Sequence, residues 1–487
     1  MKKARLLWVG FLGKGNSADT EVLKILGEKP ILGFCAVVTY KKNLSFEDVN
    51  YEQLLMKEFS NPFDRVDEVG VRASILEKSM LLHIATFEGE ALRMMDRYGV
   101  GKFEFNKVDS FDTRRRFFHF LCASWSEYLI SRKITHIVFN GVPHTCSHFV
   151  AYKLANYLKL NVLILSHEKA GLKRSHSGVF YAARYPIGGM SKTAFFISES
   201  IEEIGNWELV KKIKDTSLGN ENSFVNGLAL DSDASIPLEI AKSKNYIVSM
   251  IRDVSLIRRR PTEISEFIKS ALLSEMQRRK QIKLSSPKHP KSPEVLFCLA
   301  FQPEESTSPR AGIFVEQHIA IAALSRALPS DWILRVREHP DQYGRRIPRS
   351  RNYLEELRRL PNVEIVSPNE SLEVSLTSVR AVAACAGSVL IEAWRRNIPV
   401  LTFGHNLLKK APGVFYIQDF SELVHAIRKI EQGSWWTSEQ VDEFMLFLSE
   451  SSFRGNLGKI SNDISLKSDT VSNLVGILTR WIELSKQ

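Results

Sequence analysis

The chain has 487 residues, 44% hydrophobic and 25% charged. That is the balance of a globular protein of about two to four domains, which excludes a disordered or fibrous chain. The 66 basic and 55 acidic side chains leave a formal charge of +11 and a pI near 9.2. That favours anionic partners: nucleotides, phospholipid head groups, acidic glycans or nucleic acid. Five widely spaced cysteines, Cys35, Cys122, Cys146, Cys298 and Cys385, form no CxxC pair. They exclude a zinc site or disulfide framework and predict reduced core thiols in a cytosolic protein.

In chain order, residues 1–10 imitate an export signal, but the apolar run is short and Gly13-Lys14-Gly15-Asn16 follows at once. A first β-strand over 6–11 is predicted instead. No apolar run approaches the ~18 residues of a spanning helix, so any membrane association is expected to be peripheral. The turn with Gly10, Gly13 and Gly15 has neither GxGxxG nor a Walker ending, which argues against a dinucleotide or ATP site. Residues 31–39 read as a buried strand. Residues 41–130 read as mostly helical, with Arg114-Arg115-Arg116 as a solvated helix face. A strand at 135–139, the turn Asn140-Gly141-Val142-Pro143-His144, a helix at 147–157 and a strand at 160–165 predict a parallel sheet. Ligands in such sheets lie at the carboxyl ends of strands. This puts Asn140, His144 and His148 on one rim with Ser166, His167 and Glu168.

Residues 200–290 read as helical and charged, and the Pro-rich stretch 285–293 as an interdomain linker that contains His289. A second domain begins with a strand at 295–301, followed by Gln302-Pro303-Glu304 and a helix at 312–328. The strand at 332–337 ends in Glu338-His339-Pro340, and another strand lies at 363–366. Residues 382–416 form the organising stretch, a strand–helix–strand unit with Gly387-Ser388 where the first strand meets the helix. A helix start suits a phosphate. Gly387 permits close backbone approach, Ser388 caps the helix or binds the ligand, and Glu392 lies one turn deeper. The tail from 420 is helical, and its apolar stripe at 471–484 is expected to pack on a domain face. Four successive strand ends thus carry Gln302 and Glu304, His339, Ser388 and His405, and no strand interior is expected to carry such a group.

The predicted fold class is α/β, two Rossmann-like domains facing a cleft, with a C-terminal helix that crosses back. The expected layout is an N-terminal acceptor-side domain at 1–230, a helical segment and linker at 231–293, a nucleotide-sugar domain at 294–440 and C-terminal helices at 441–487. In that cleft Gly387-Ser388 would hold a phosphate, assisted by His339, and the departing nucleotide's growing charge would be stabilised there. Glu304 would act as base for an acceptor hydroxyl or as nucleophile. Glu392 would bind ribose hydroxyls or pair with Arg395 or Arg396. Glu304 and His339 are therefore the catalytic candidates, and Gln302, His339, Pro340, Gly387, Ser388, Glu392 and Gly404 the nucleotide-binding candidates. Asn140, His144 and His148 are the acceptor-side candidates, and no metal site is predicted.

Gln302-Pro303-Glu304, Arg337-Glu338-His339-Pro340, Gly387-Ser388-Val389-Leu390-Ile391-Glu392-Ala393, Asn397-Ile398-Pro399-Val400, Phe403-Gly404 and Ala411-Pro412-Gly413-Val414-Phe415-Tyr416 resemble the bacterial capsule-polysaccharide biosynthesis family. That family includes the retaining β-Kdo transferases. The likeness covers about residues 295–420, more weakly 135–170. Asn397 stands where the family commonly has Gly, and the acidic motif of bacterial sialyltransferases is missing. The resemblance implies a GT-B fold, a CMP-sugar donor, CMP contacts for His339 and Ser388, and an acidic catalytic residue that maps to Glu304. The function expected is glycosyl transfer in surface polysaccharide biosynthesis. The donor would be a CMP-sugar carrying Kdo or a related nonulosonic acid, and the acceptor a glycan or glycolipid. No permanently bound cofactor, no metal and no nucleic-acid partner are expected. The site of action would be the cytoplasm, in peripheral contact with anionic inner-membrane lipid. The competing expectations are a UDP-sugar transferase or 2-epimerase, and a non-catalytic sugar-nucleotide or glycan-binding partner in an assembly complex.

Overall fold

The computed structural model describes residues 3–9, 18–39, 51–55, 76–96, 111–166, 172–174, 180–182, 194–203, 207–215, 261–287, 292–302, 304–344, 349–350, 352–377, 379–394, 396–433, 436–455 and 464–486. Two compact units result: residues 1–172, 185–230 and 441–487 form the first, and 173–184 with 231–440 the second. Among the described residues, no helix is long and apolar enough to cross a membrane.

The first unit is built on β1 (Ala4–Val9), β2 (Leu32–Thr39), β3 (Tyr51–Leu55), β4 (His136–Asn140) and β5 (Asn161–Ser166), all in parallel pairs in the order β3-β2-β1-β4-β5. Leu6, Leu7, Trp8 and Val9 are all fully buried. Both faces of β1 are therefore covered, as a continuous apolar run in a parallel sheet requires. A short separate pair, β6 (Leu172–Arg174) and β7 (Phe180–Ala182), comes next in the chain, and residues 173–184 group with the second unit. Then β8 (Ala194–Ser198) adds antiparallel to β5, and beyond it β15 (Phe453–Arg454) adds antiparallel to β8. The C-terminal helix Ile464–Leu484 lays Val471, Leu474, Ile477, Leu478, Trp481 and Ile482 into the core of this unit, against Trp8, Val22 and Leu26. Their spacing is one face of a helix, and each large side chain buried there is worth roughly 1.5–3 kcal/mol. At its end Ser485 Oγ meets His136 Nε2 at 2.6 Å, and Trp481 stands edge-on to the same imidazole at 5.0 Å.

The second unit contains β9 (Glu294–Cys298), β10 (Ile333–Arg337), β11 (Val363–Ile365), β12 (Ala381–Ala384), β13 (Val400–Thr402) and β14 (Val414–Tyr416). Every pair is parallel, in the order β11-β10-β9-β12-β13-β14. One face buries Val295, Phe297, Leu334, Val336, Ala381 and Ala383 against the helices Gln317–Ala327 and Phe420–Gln432. Both units are thus α/β and Rossmann-like, the second sheet parallel throughout and the first parallel except for β8 and β15.

Several expectations need correction. Residues 51–55 and 453–454 form strands inside regions read as helical, and 194–198 add a further strand. All three are short pieces that exist only through a sheet partner. The helix expected at 312–328 is two elements, Gly312–Val315 and Gln317–Ala327, broken where Glu316 adopts φ −79° and ψ 79°. The stretch 285–293 does not join the units, because both its flanks belong to the second. Ser285 pairs in parallel with Ile365, and Ser286 N donates to the Ile365 carbonyl at 3.1 Å, so this backbone completes the sheet edge. Residues 288–291, including His289, lie outside the described residues, as do the glycine-rich turn at 10–16 and His167 and Glu168. Strand interiors do carry charge: Arg335 in β10 is 1% exposed and pairs with Glu370 at 3.0 Å and Glu294 at 3.8 Å. A guanidinium is kept there because two carboxylates offset its desolvation.

Candidate functional site

In the second unit the strands run, by order of appearance, third-second-first-fourth-fifth-sixth across the sheet. The direction of winding reverses between β9 and β12. In such sheets the crevice outside the carboxyl ends at this reversal is where ligands bind. Register fixes which loops meet there: Cys298 is opposite Arg337, Phe297 opposite Ala383, and Ala384 opposite Thr402. The ladder continues past the strands through Leu299 N to the Arg337 carbonyl (2.9 Å) and Phe403 N to the Ala384 carbonyl (3.0 Å). The exits of β10, β9, β12 and β13 are therefore neighbours at steps of roughly 5 Å. They lead to Glu338-His339, to 299–304, to 385–388 and to 403–405.

After β9, Glu304 opens a tight loop. Its carbonyl accepts from Thr307 N (3.0 Å), Ser308 N (2.9 Å) and Thr307 Oγ1 (2.9 Å). Its carboxylate is half-buried, with Ser306 Oγ donating to Oε2 at 3.5 Å. After β10, His339 is half-buried with its ring 5.9 Å from that of Phe301, which lies beyond β9. Pro340 is exposed and begins the short helix Pro340–Gly344, the position where a missing N–H costs nothing.

After β12, Cys385 and Ala386 are buried, while Gly387 and Ser388 are exposed at the start of the two-turn helix Ser388–Trp394. Gly387 has φ +133°, and nothing lies within 4 Å of where a Cβ would stand. The residue is glycine for its backbone torsion, and its open side leaves room for a ligand against the main chain. Trp394 anchors the far end of the helix by donating Nε1 to the Pro412 carbonyl at 2.7 Å. Asn397 follows with φ +56°, the left-handed conformation that ends a helix. The Asn-for-Gly difference at this position is thus one between the two residue types that tolerate αL. Glu392 is half-buried; burial first, opposed by Arg337 and aided to a smaller extent by Glu392, pushes the Cys298 thiol up to about 12. Arg396 forms its two short bonds with Glu373, at 2.7 and 2.6 Å, and not with Glu392. Arg395 lies outside the described residues.

After β13, Gly404 is not a surface residue. It is buried, and a Cβ there would stand 2.6 Å from the Cys385 carbonyl oxygen, 3.1 Å from that of Arg310 and 3.2 Å from Ala311 Cα. Its place is a crossing of three backbones. A buried polar knot holds it: Asn406 Nδ2 donates to Thr402 Oγ1 (2.6 Å) and to the Gly404 carbonyl (3.0 Å). His405 N donates to the Arg310 carbonyl at 2.9 Å, and the Tyr416 hydroxyl lies 3.1 Å from His405 Nδ1.

Gln302 faces inward as well. Its Oε1 accepts from Arg349 Nη1 at 2.8 Å, its Nε2 donates to the Val315 carbonyl, and its backbone N–H and C=O both bond the Gln342 amide at 3.1 Å. The side chain is engaged in holding the loop. The residues that hold it, Arg349 and Gln342, gave no signal in the sequence. Arg349 follows Arg345 and Arg346 in the chain, and nothing in that local pattern marks it as buried. Burial disfavours the Arg349 charge, but Glu338 outweighs that effect and holds its pKa above the ordinary value.

In the first unit, β1 and β4 mark the corresponding reversal. Asn140 ends β4 half-buried, and His144 Nδ1 is bonded to the Val142 carbonyl at 2.6 Å. Thr145 caps the helix Cys146–Tyr157 by accepting from His148 N at 3.2 Å. Burial, with a smaller contribution from His144, brings the His148 imidazole down to about 3, so it is neutral at physiological pH.

No protein-family model matches the chain, and no curated protein matches it in sequence. Among solved structures it is similar to the UDP-GlcNAc 2-epimerase of Neisseria meningitidis bound to UDP-GlcNAc, at 13% identity over 99% of this chain and 100% of that one, TM-score 0.26. It is similar to the UDP-GlcNAc 2-epimerase of Methanocaldococcus jannaschii, at 12% over 91% and 99%, TM-score 0.25. It is also similar to the β-Kdo 2,4 transferase KpsC of Thermosulfurimonas dismutans, at 13% over 60% and 79%, TM-score 0.25. These values transfer no chemistry to the chain; its chemistry rests on its own residues.

Proposed function

We propose that the chain is a glycosyltransferase of GT-B type that takes its nucleotide-sugar at the carboxyl ends of β9, β10, β12 and β13. The observation that carries this reading is the winding reversal between β9 and β12. A carboxylate (Glu304) and an open glycine turn (Gly387-Ser388) leave the two strands that flank it, and His339 leaves the next strand. In this reading the diphosphate or phosphate ester lies against the Gly387 main chain and the Ser388 hydroxyl. His339 donates to it as the leaving nucleotide gains charge, and Glu304 serves the anomeric centre as base or nucleophile. The donor we favour is a CMP-activated acidic sugar of the Kdo or nonulosonic type, transferred to a glycan or glycolipid of the cell surface. Asn140 and His144 are offered to the acceptor, and the net charge of +11 favours contact with anionic lipid where a lipid-linked acceptor resides.

The test is thermal unfolding with CMP, UDP and GDP in turn. Selective stabilisation by CMP supports the proposal. Stabilisation by UDP alone replaces it with a UDP-sugar transferase or 2-epimerase, and no response to any nucleotide leaves a non-catalytic partner.

A further inference from the structure

The loops that carry Glu304 and His339 come from different strands, and the His339 ring stands 5.9 Å from that of Phe301 in the first of them. One side chain makes several of the hydrogen bonds between them. Arg349 is buried, its side chain 7% exposed. It donates Nε to Glu338 Oε2 at 2.6 Å and Nη2 to Glu338 Oε1 at 2.9 Å. The same Nη2 reaches the Ala300 carbonyl at 2.8 Å, and Nη1 reaches Gln302 Oε1 at 2.8 Å. Glu338 Oε1 in turn accepts the His339 backbone N–H at 2.8 Å. The planar fork therefore holds three groups beyond β9 and β10 at once, and the Tyr353 ring lies 5.1 Å beneath it. Gln342 adds the second tie, bonding both backbone groups of Gln302. Only a guanidinium has donors in this arrangement; a lysine ammonium can replace the charge and not the fork.

We propose that Arg349, through Glu338, is the positioning residue of the site, setting where His339 stands relative to the Gln302–Glu304 loop. It touches no reacting atom. The inference rests on the function proposed above for Glu304 and His339, and it assigns the cause of their geometry. Displacement of one loop by about 1 Å is enough to cost on the order of 10²-fold in turnover.

Removing Arg349 alone leaves Glu338 buried without its cation and risks unfolding. The informative variants are Arg349→Lys, which keeps the charge, and the double variant Glu338→Leu with Arg349→Met. The double variant removes the pair and restores apolar packing, a replacement that is often neutral or stabilising. Two measurements are made on each full-length protein. The first is amide hydrogen exchange. The proposal expects at least tenfold faster exchange confined to 299–306 and 338–344, with the rest of the sheet unchanged in the double variant. The second is turnover with the nucleotide-sugar that passes the binding test. The double variant is expected to bind nucleotide within about threefold of wild type and to turn over about 100-fold more slowly, even where its thermal midpoint is restored. Unchanged exchange in these two loops, or full turnover in the double variant, overturns the proposal. Exchange reads the brace with no nucleotide present. A wild-type protein that binds no nucleotide therefore sinks the functional reading alone, and the exchange result still decides the role of Arg349.

Discussion

Gly404→Ala isolates a steric effect at the heart of the site. Gly404 has no left-handed torsion, so an alanine there meets no backbone penalty of its own. The added methyl, however, would stand 2.6 Å from the Cys385 carbonyl oxygen, about 0.8 Å short of ordinary contact, and close to the Arg310 carbonyl and Ala311 Cα as well. All three neighbours are backbone. Gly404 itself cannot retreat, because its carbonyl is held by Asn406 Nδ2 at 3.0 Å. Overpacking of this kind costs about 1–3 kcal/mol, and the upper half of that range applies where no flexible side chain can yield. Part of the displacement falls on Cys385, two residues before Gly387, so nucleotide affinity should drop about tenfold alongside stability. The assay is urea unfolding followed by tryptophan fluorescence, with nucleotide titration on the folded variant. Gly387→Ala is the matched comparison: there the methyl meets open space and the cost is the φ of +133° alone, about 1–3 kcal/mol. A Gly404→Ala protein within 0.5 kcal/mol of wild type, with unchanged affinity, would refute the crossing-point account of this glycine.

Glu304→Ala and His339→Ala should each lower turnover by about 10²-fold or more while the urea midpoint stays near wild type; full activity in either removes that residue from the chemistry. Ser388→Ala should weaken nucleotide binding by roughly 1–3 kcal/mol if its exposed hydroxyl donates to a phosphate oxygen, read by calorimetric titration. His136 bears on pH dependence, since burial, then Lys486, brings its imidazole from 6.5 down to about 4. The unfolded chain takes up this proton first, so the contribution is fully present above about pH 6.5 and is lost as pH falls to about 4. The loss is on the order of 3 kcal/mol, and His136→Gln should flatten the stability profile across that window. At Asn397, with φ +56°, Gly should be neutral or slightly stabilising, whereas Val should cost about 1–2 kcal/mol in thermal unfolding.

Much of this molecule is legible in local pattern. Runs such as 6–9 and 295–297 are apolar on both faces because parallel strands are covered on both sides, and the sequence marks them as strands without help. The polar residues that follow those runs, Glu304, His339 and Ser388, are legible for the same reason: where burial ends, the chain can carry chemistry. The helical stripe from Val471 to Ile482 likewise announces a buried face.

Sequence alone does not determine which strand ends are neighbours. The order β11-β10-β9-β12-β13-β14 depends on pairings between distant residues, such as Val295 with Ala381, and it alone puts the reversal between Glu304 and Gly387. Nor does it reveal which polar side chains face inward. Gln302 reads as a ligand contact, and its side chain is bonded to Arg349; Gly404 reads the same way and lies buried at a backbone crossing; Arg349 carries no local signal and is buried against Glu338. The physical reason is the same in each case. A hydrogen bond or a backbone crossing between distant segments has no local period, so it is decided only when the sheet has assembled and desolvation forces each buried polar group to find its partner.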